Sequence, residues 1–242
     1  MAQKEVENYE YELGRPHDVI GWFKIKLPPT AIARLNEYID DPELKEYEAT
    51  QSLAGNISNS YYLKDVDDWF FKNYLEFMCY DYLNDFDFQP AGVLGMTNYR
   101  KHPFQLDSLW VNYQRQNEFN PSHTHSGAFS FAIFMKIPTH WQEQHNLPSV
   151  TKSNCPRASD FAFEYLTPLG DMAFSSFKMS PDLEGWMLFF PARLNHMVYP
   201  FYNCDKPRIS IAGNITYNTN VSLKTDEEIT QFFKEQKQVN YR

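Results

Sequence analysis

Apolar positions change their period along this chain. Residues 1–20 have no clear period and read as a polar arm. Trp22-Phe23-Lys24-Ile25-Lys26-Leu27 then alternates as a short strand with one buried face does. Pro28-Pro29 stops it, and Pro29 suits the first turn of a helix, where its missing N–H is not needed. Ala31, Ile32, Leu35 and Ile39 recur at helical spacing and give that helix an apolar stripe. A second helical stretch is predicted over roughly 64–85. Asp65 or Asp67 would cap it, and Phe70, Tyr74, Leu75 and Met78 would face a core. The segment DYLNDFDFQPAG, residues 81–92, is broken by Asp, Asn, Pro and Gly and reads as a transition.

From about residue 106 the pattern switches to short apolar or alternating stretches: 108–115, 129–137, 161–167, 171–178, 185–190, 196–201 and 207–217. Turn residues separate them, which predicts a mainly β sandwich or barrel. Residues 139–160 are polar, with Pro148 and Pro156, and read as a long mobile loop bordering a substrate entrance. Ile229, Phe232 and Phe233 among charged residues suit a terminal helix. The organisation expected is an N-terminal extension (1–105) packed on a β core (106–218), followed by a C-terminal helix and tail (219–242). No repeat and no Gly-rich phosphate loop is visible.

Composition narrows the function classes. In 242 residues, 20 Phe and 16 Tyr supply core material for strands and exclude global disorder. A net charge of −9, with no basic run, makes a nucleic-acid partner unlike this chain. Cys79, Cys155 and Cys204 have neither disulfide-scaffold nor metal-pair spacing, so a cytoplasmic setting is expected. No apolar run has the length of a membrane span, and the first residues lack a signal-peptide pattern.

The sharpest chemical signal is Asn120-Pro-Ser-His123-Thr-His125-Ser. Residues i and i+2 of a strand share a face, so a regular strand here would offer two imidazoles to one ion. Imidazole suits Fe, Zn, Ni and Cu alike; two solvated histidines on a surface turn are the bland alternative. A third imidazole, His196, lies 71 residues beyond His125 in Gly185-Trp-Met-Leu-Phe-Phe-Pro191-Ala-Arg-Leu-Asn-His196. Gly185 and Pro191 bracket an apolar strand, and His196 would open a return strand across the barrel from the pair. Arg208 follows His196 by twelve residues and shares a strand face with Ser210 and Ala212. An inward arginine needs a carboxylate, because burying its charge alone is costly. A protein Asp or Glu could supply it, or the far end of a small diacid held by the planar fork with help from Ser210.

NPSHTHSGAFSFAIFMKIP, EGWMLFFPARLNHMVYP and KPRISIAGNI resemble the three core motifs of the 2-oxoglutarate/Fe(II)-dependent oxygenases. Trp110-Val-Asn112 and Leu53-Ala-Gly55-Asn56-Ile57 are similar to its prolyl-hydroxylase-like branch in bacteriophages and marine bacteria. The resemblance implies a double-stranded β-helix (jelly roll) with flanking N-terminal helices. It implies Fe(II) held by His123, His125 and His196, and 2-oxoglutarate held by Arg208, Ser210 and Asn112. It further implies oxidation of a C–H bond with O₂, releasing succinate and CO₂. The substrate would be a small molecule or a protein, and the oligomeric state is left open. One departure stands out. The family usually places Asp or Glu where this chain has His125. Either three imidazoles hold the ion, or one stands back and Asp107, Asp160 or a water fills its place, or activity has been lost. A cupin-type metalloprotein is the first rival, yet Ala128 and Phe129 stand where its first motif expects Glu. A non-catalytic β-sandwich binding module with a degenerate metal site is the second.

Overall fold

The computed structural model describes residues 11–17, 20–43, 47–86 and 102–221. The expected terminal helix and the second half of the 81–92 transition (87–92) lie outside them. Where the sequence suggested a polar arm, Tyr11–His17 forms a strand, β1, paired antiparallel with β2 (Ile20–Lys26). An edge strand is held by its partner's backbone, so it needs no apolar alternation. Pro29 opens α1 (Pro29–Ile39), which buries Ala31, Leu35 and Tyr38. The second helical stretch opens with a 3₁₀ turn, Val66–Asp68, passes through a π-turn, Phe71–Leu75, and continues as α2 (Glu76–Asp85). Asp65 is its cap: the carboxylate accepts the backbone N–H of Phe70 at 2.8 Å and of Phe71 at 2.9 Å. Asp67 instead takes a left-handed conformation.

The rest is a two-sheet antiparallel β sandwich, as the pattern beyond residue 106 predicts, with the double-stranded β-helix arrangement that the resemblance implies. The larger sheet has seven strands in the order β1-β2-β9-β6-β11-β4-β3, and the smaller has four, β5-β10-β7-β8. These are β3 (Ser60–Tyr62), β4 (Phe104–Gln114), β5 (Asn120–His123), β6 (Phe129–Lys136), β7 (Phe161–Leu166), β8 (Met172–Phe177), β9 (Trp186–Pro191), β10 (Asn195–Val198) and β11 (Arg208–Tyr217).

The central strand β6 is covered on both faces, which explains its near-continuous apolar run. Phe129, Phe131 and Ile133 join Leu35, Phe70, Leu75 and Met78 in one core, between the large sheet and the helices. Phe134 joins Phe161, Phe163, Leu188 and Phe190 in a second core between the sheets. β11 divides its faces the same way. Ile211 and Ile215 belong to the helix-side core, whereas Arg208, Ser210 and Ala212 line a cavity between the sheets. Gly213 on this strand has no room for a side chain. A Cβ there would sit 2.6 Å from both the Phe131 ring and the Ser108 carbonyl oxygen. Among the described residues no helix is long and apolar enough to cross a membrane.

Candidate metal centre

β5 and β10 are neighbours in the small sheet, and His123 stands directly opposite His196 in their register. Facing residues of an antiparallel pair have Cβ atoms about 4.5–5.5 Å apart, so their rings meet without any long-range bend of the chain. His196 thus reaches its partner from the adjacent strand, not from across the barrel. His125 also arrives differently from the sequence expectation. β5 ends at His123, and two residues later the His125 N–H donates to the Ala192 carbonyl at 2.8 Å. That bond to the turn after β9, not the two-residue period of a regular strand, turns the ring inward. The three rings lie with centroids 4.3–5.0 Å apart, and their nearest ligand nitrogens all fall within 4.8 Å of one another.

The tautomers follow from the surroundings. His123 Nδ1 lies 2.7 Å from the Pro121 carbonyl oxygen, and His196 Nδ1 lies 3.0 Å from that of Leu194. A carbonyl can only accept, so each Nδ1 carries the proton and each Nε2 presents a lone pair. His125 Nε2 and His196 Nε2 are 3.2 Å apart. Two nitrogens bound at right angles to one ion, each at about 2.1 Å, would be about 3.0 Å apart. Burial lowers the pKa of all three rings: His125 falls to about 4, with the His123 imidazole adding to the effect, and His196 falls well below its usual value. The apolar wall is specific, with Phe161 stacked 5.7 Å from the His196 ring and Phe190 edge-on at 4.8 Å. Three neutral imidazoles therefore converge, two of them with an Nε2 lone pair set by a carbonyl on Nδ1, and neutral imidazoles are what a divalent first-row ion requires. No carboxylate among the described residues joins them. Asp107 is exposed on β4, and Asp160 is engaged with His145 at 2.9 Å.

The same cavity is lined by Arg208, Ser210 and Asn112. They lie on adjacent strands, with Ser60, Asn112 and Ser210 side by side across the large sheet. Ser60 donates its hydroxyl to Asn112 Oδ1 at 2.7 Å, which fixes the amide. Arg208 is 3 % exposed, and among the described residues no carboxylate lies within ion-pair reach of it. Its Nη2 donates to the Ser159 carbonyl at 2.8 Å and to Ser159 Oγ at 2.5 Å. Nη1 makes a long 3.4 Å contact to Gln114 Oε1, the Phe201 ring lies 5.2 Å from the guanidinium carbon, and Nε has no hydrogen-bond partner among the described residues. Burial pulls its pKa down to about 10, a fall opposed by the nearby charge of Asp160. It is a cation at neutral pH all the same.

Sequence reasoning missed Gln114, Ser159 and Phe201 around Arg208. It also misread the 139–160 segment at both ends. A short helix, α3 (Trp141–His145), opens it, and Thr139, Gln144, His145, Ser159 and Asp160 are buried. None of the cavity's lining residues comes from this segment; Leu53, Ala54 and Gly55 form part of the wall instead.

Residues 108–214 match the model of a family described as "Putative 2OG-Fe(II) oxygenase". No curated protein matches the chain by sequence. Among solved structures, a Pseudomonas putida prolyl-4-hydroxylase is similar at 13% identity, covering 80% of this chain and 91% of that one, with a TM-score of 0.42. The viral collagen prolyl hydroxylase of Paramecium Bursaria Chlorella virus-1, in complex with 2OG, is similar at 12% identity over 88% and 98% of the two chains, with a TM-score of 0.43. An oxidoreductase of the 2OG-Fe(II) oxygenase family from Burkholderia pseudomallei is similar at 12% identity, with a TM-score of 0.33. That match covers 52% of this chain and 49% of the other, about half its length.

Proposed function

We propose, from the match of residues 108–214 to the family model, that this chain is a member of the 2OG-Fe(II) oxygenases and an iron- and 2-oxoglutarate-dependent enzyme acting on a C–H bond. One observation supports this reading above the others: three convergent neutral imidazoles and a buried arginine with no carboxylate partner among the described residues line one cavity. His123, His125 and His196 would hold the ion through Nε2 of His123 and His196 and the facing Nε2 of His125. Arg208, with Ser210 and Asn112 beside it, would take the far carboxylate of 2-oxoglutarate. An isolated buried cation costs several kcal/mol, about what an incoming carboxylate would relieve. Together, bound iron and 2-oxoglutarate supply the oxidising chemistry, consuming O₂ and releasing succinate and CO₂.

The chain's own residues do the positioning. The Pro121 and Leu194 carbonyls hold two imidazoles in the ligating tautomer. Phe134, Phe161 and Phe190 keep that end of the cavity apolar, which excludes water and strengthens every charge interaction inside it. An all-imidazole set adds no negative charge, so the near carboxylate of the co-substrate would offset one of the ion's two charges while the far carboxylate meets Arg208. Iron-loaded protein supplied with 2-oxoglutarate and ascorbate in air is expected to form succinate and CO₂ in equal amounts, slowly in the absence of a substrate, with ascorbate reducing the second oxygen atom to water. Product release no faster than from a His196→Ala control would remove this reading.

A further inference from the structure

The 139–160 excursion leaves β6 and returns to β7, and its base closes behind Arg208. Thr139 Oγ1 and Ser159 Oγ meet at 3.3 Å where the segment begins and ends. Ser159 is fully buried and holds a left-handed backbone, φ 75°, that a residue with a Cβ adopts at a cost. Its surroundings keep it there. The Ser159 N–H donates to the Pro200 carbonyl at 2.8 Å, and the Tyr199 N–H donates to the Asp160 carbonyl at 2.8 Å. The Asp160 carboxylate is held by His145 on α3. α3 is in turn tied to Tyr202 by a reciprocal pair: Gln144 Nε2 donates to the Tyr202 carbonyl at 2.9 Å, and the Tyr202 N–H donates to Gln144 Oε1 at 2.8 Å. Two oxygens of this one residue, carbonyl and hydroxyl, grip a single amino group of Arg208. They leave Nη1 with one long contact and Nε with none.

We propose that Ser159 is a positioning residue: it clamps Arg208 by Nη2 from behind and so presents the remainder of the fork to the far carboxylate of a five-carbon 2-oxo diacid. The inference rests on the co-substrate reading above. It also reassigns the 139–160 segment, whose base serves the co-substrate. The strain at Ser159 has a use under this reading, because the left-handed turn is what brings its carbonyl and hydroxyl to the same nitrogen.

The test compares two acids of equal chain length, 2-oxoglutarate and 2-oxopentanoate, which lacks the far carboxylate. Each is titrated calorimetrically into the Fe(II)-loaded full chain without O₂. Ser159→Gly removes the hydroxyl and suits the positive φ, so the variant is expected to fold; Ser159→Ala removes the same hydroxyl with less added backbone freedom. Wild type is expected to favour the diacid. Either variant is expected to bind 2-oxoglutarate about tenfold more weakly, the scale of one hydrogen bond to a charged group, with 2-oxopentanoate unchanged. A variant that keeps the full diacid preference, or weakens both acids equally, overturns the positioning role. A wild type with no preference overturns the co-substrate reading beneath it.

Discussion

His196→Ala is expected to abolish binding of a divalent ion and all turnover with it. His196 is 4 % exposed and stands at the centre of the cluster, opposite His123 in the register and 3.2 Å from the nitrogen of His125. Disturbing only a supporting partner of a ligand costs about 10- to 100-fold in metal affinity, so removing the ligand itself is expected to cost more than about 100-fold. Anaerobic titration with Fe(II), followed by calorimetry, measures it. His140→Ala serves as the comparison: His140 is exposed and outside the cluster, and its loss is expected to leave the affinity unchanged. Retained affinity in folded His196→Ala would remove this residue from the centre.

Arg208→Lys is expected to weaken 2-oxoglutarate binding by about 10- to 100-fold while leaving metal affinity intact, because each hydrogen bond to a charged group contributes about 1.5–3 kcal/mol. Lysine keeps a positive charge but loses the planar fork. It also cannot reproduce the paired grip on Ser159 and the reach to Gln114 at once. The alternative for a buried arginine is a structural ion pair. The described residues contain no such partner, so the substitution should register in co-substrate binding more than in melting temperature. An unchanged dissociation constant in a folded variant would take Arg208 out of the site.

Elements with a strong apolar period were legible in the sequence. α1, the second helical stretch, β6, β9 and β11 each bury one or two faces in bulk, and burial is what writes periodicity into a chain. β1, β3 and β5 were not, since an edge position or a length of three or four residues asks little of side chains. That the three histidines gather and that Arg208 is buried beside them was legible, because few residue types carry such chemistry. How they meet was not. Pairing of β5 with β10 is a register fact, and the inward turn of His125 depends on the carbonyl of Ala192, which carries no side-chain signature. Ser159 was hidden for a similar reason. A serine in a polar, proline-punctuated stretch looks like any loop residue, and its left-handed backbone exists only because distant carbonyls and His145 hold the turn.

We propose that one cavity holds an ion on three imidazoles and a 2-oxo diacid between that ion and Arg208. Adding Fe(II) and then 2-oxoglutarate to the protein without O₂, while recording the visible spectrum, tests it most directly. A metal-to-ligand charge-transfer band is expected only when both are present, saturating at one equivalent of each and missing from His196→Ala. Iron that binds with full occupancy yet gives no band with 2-oxoglutarate would mean that the diacid does not reach the ion.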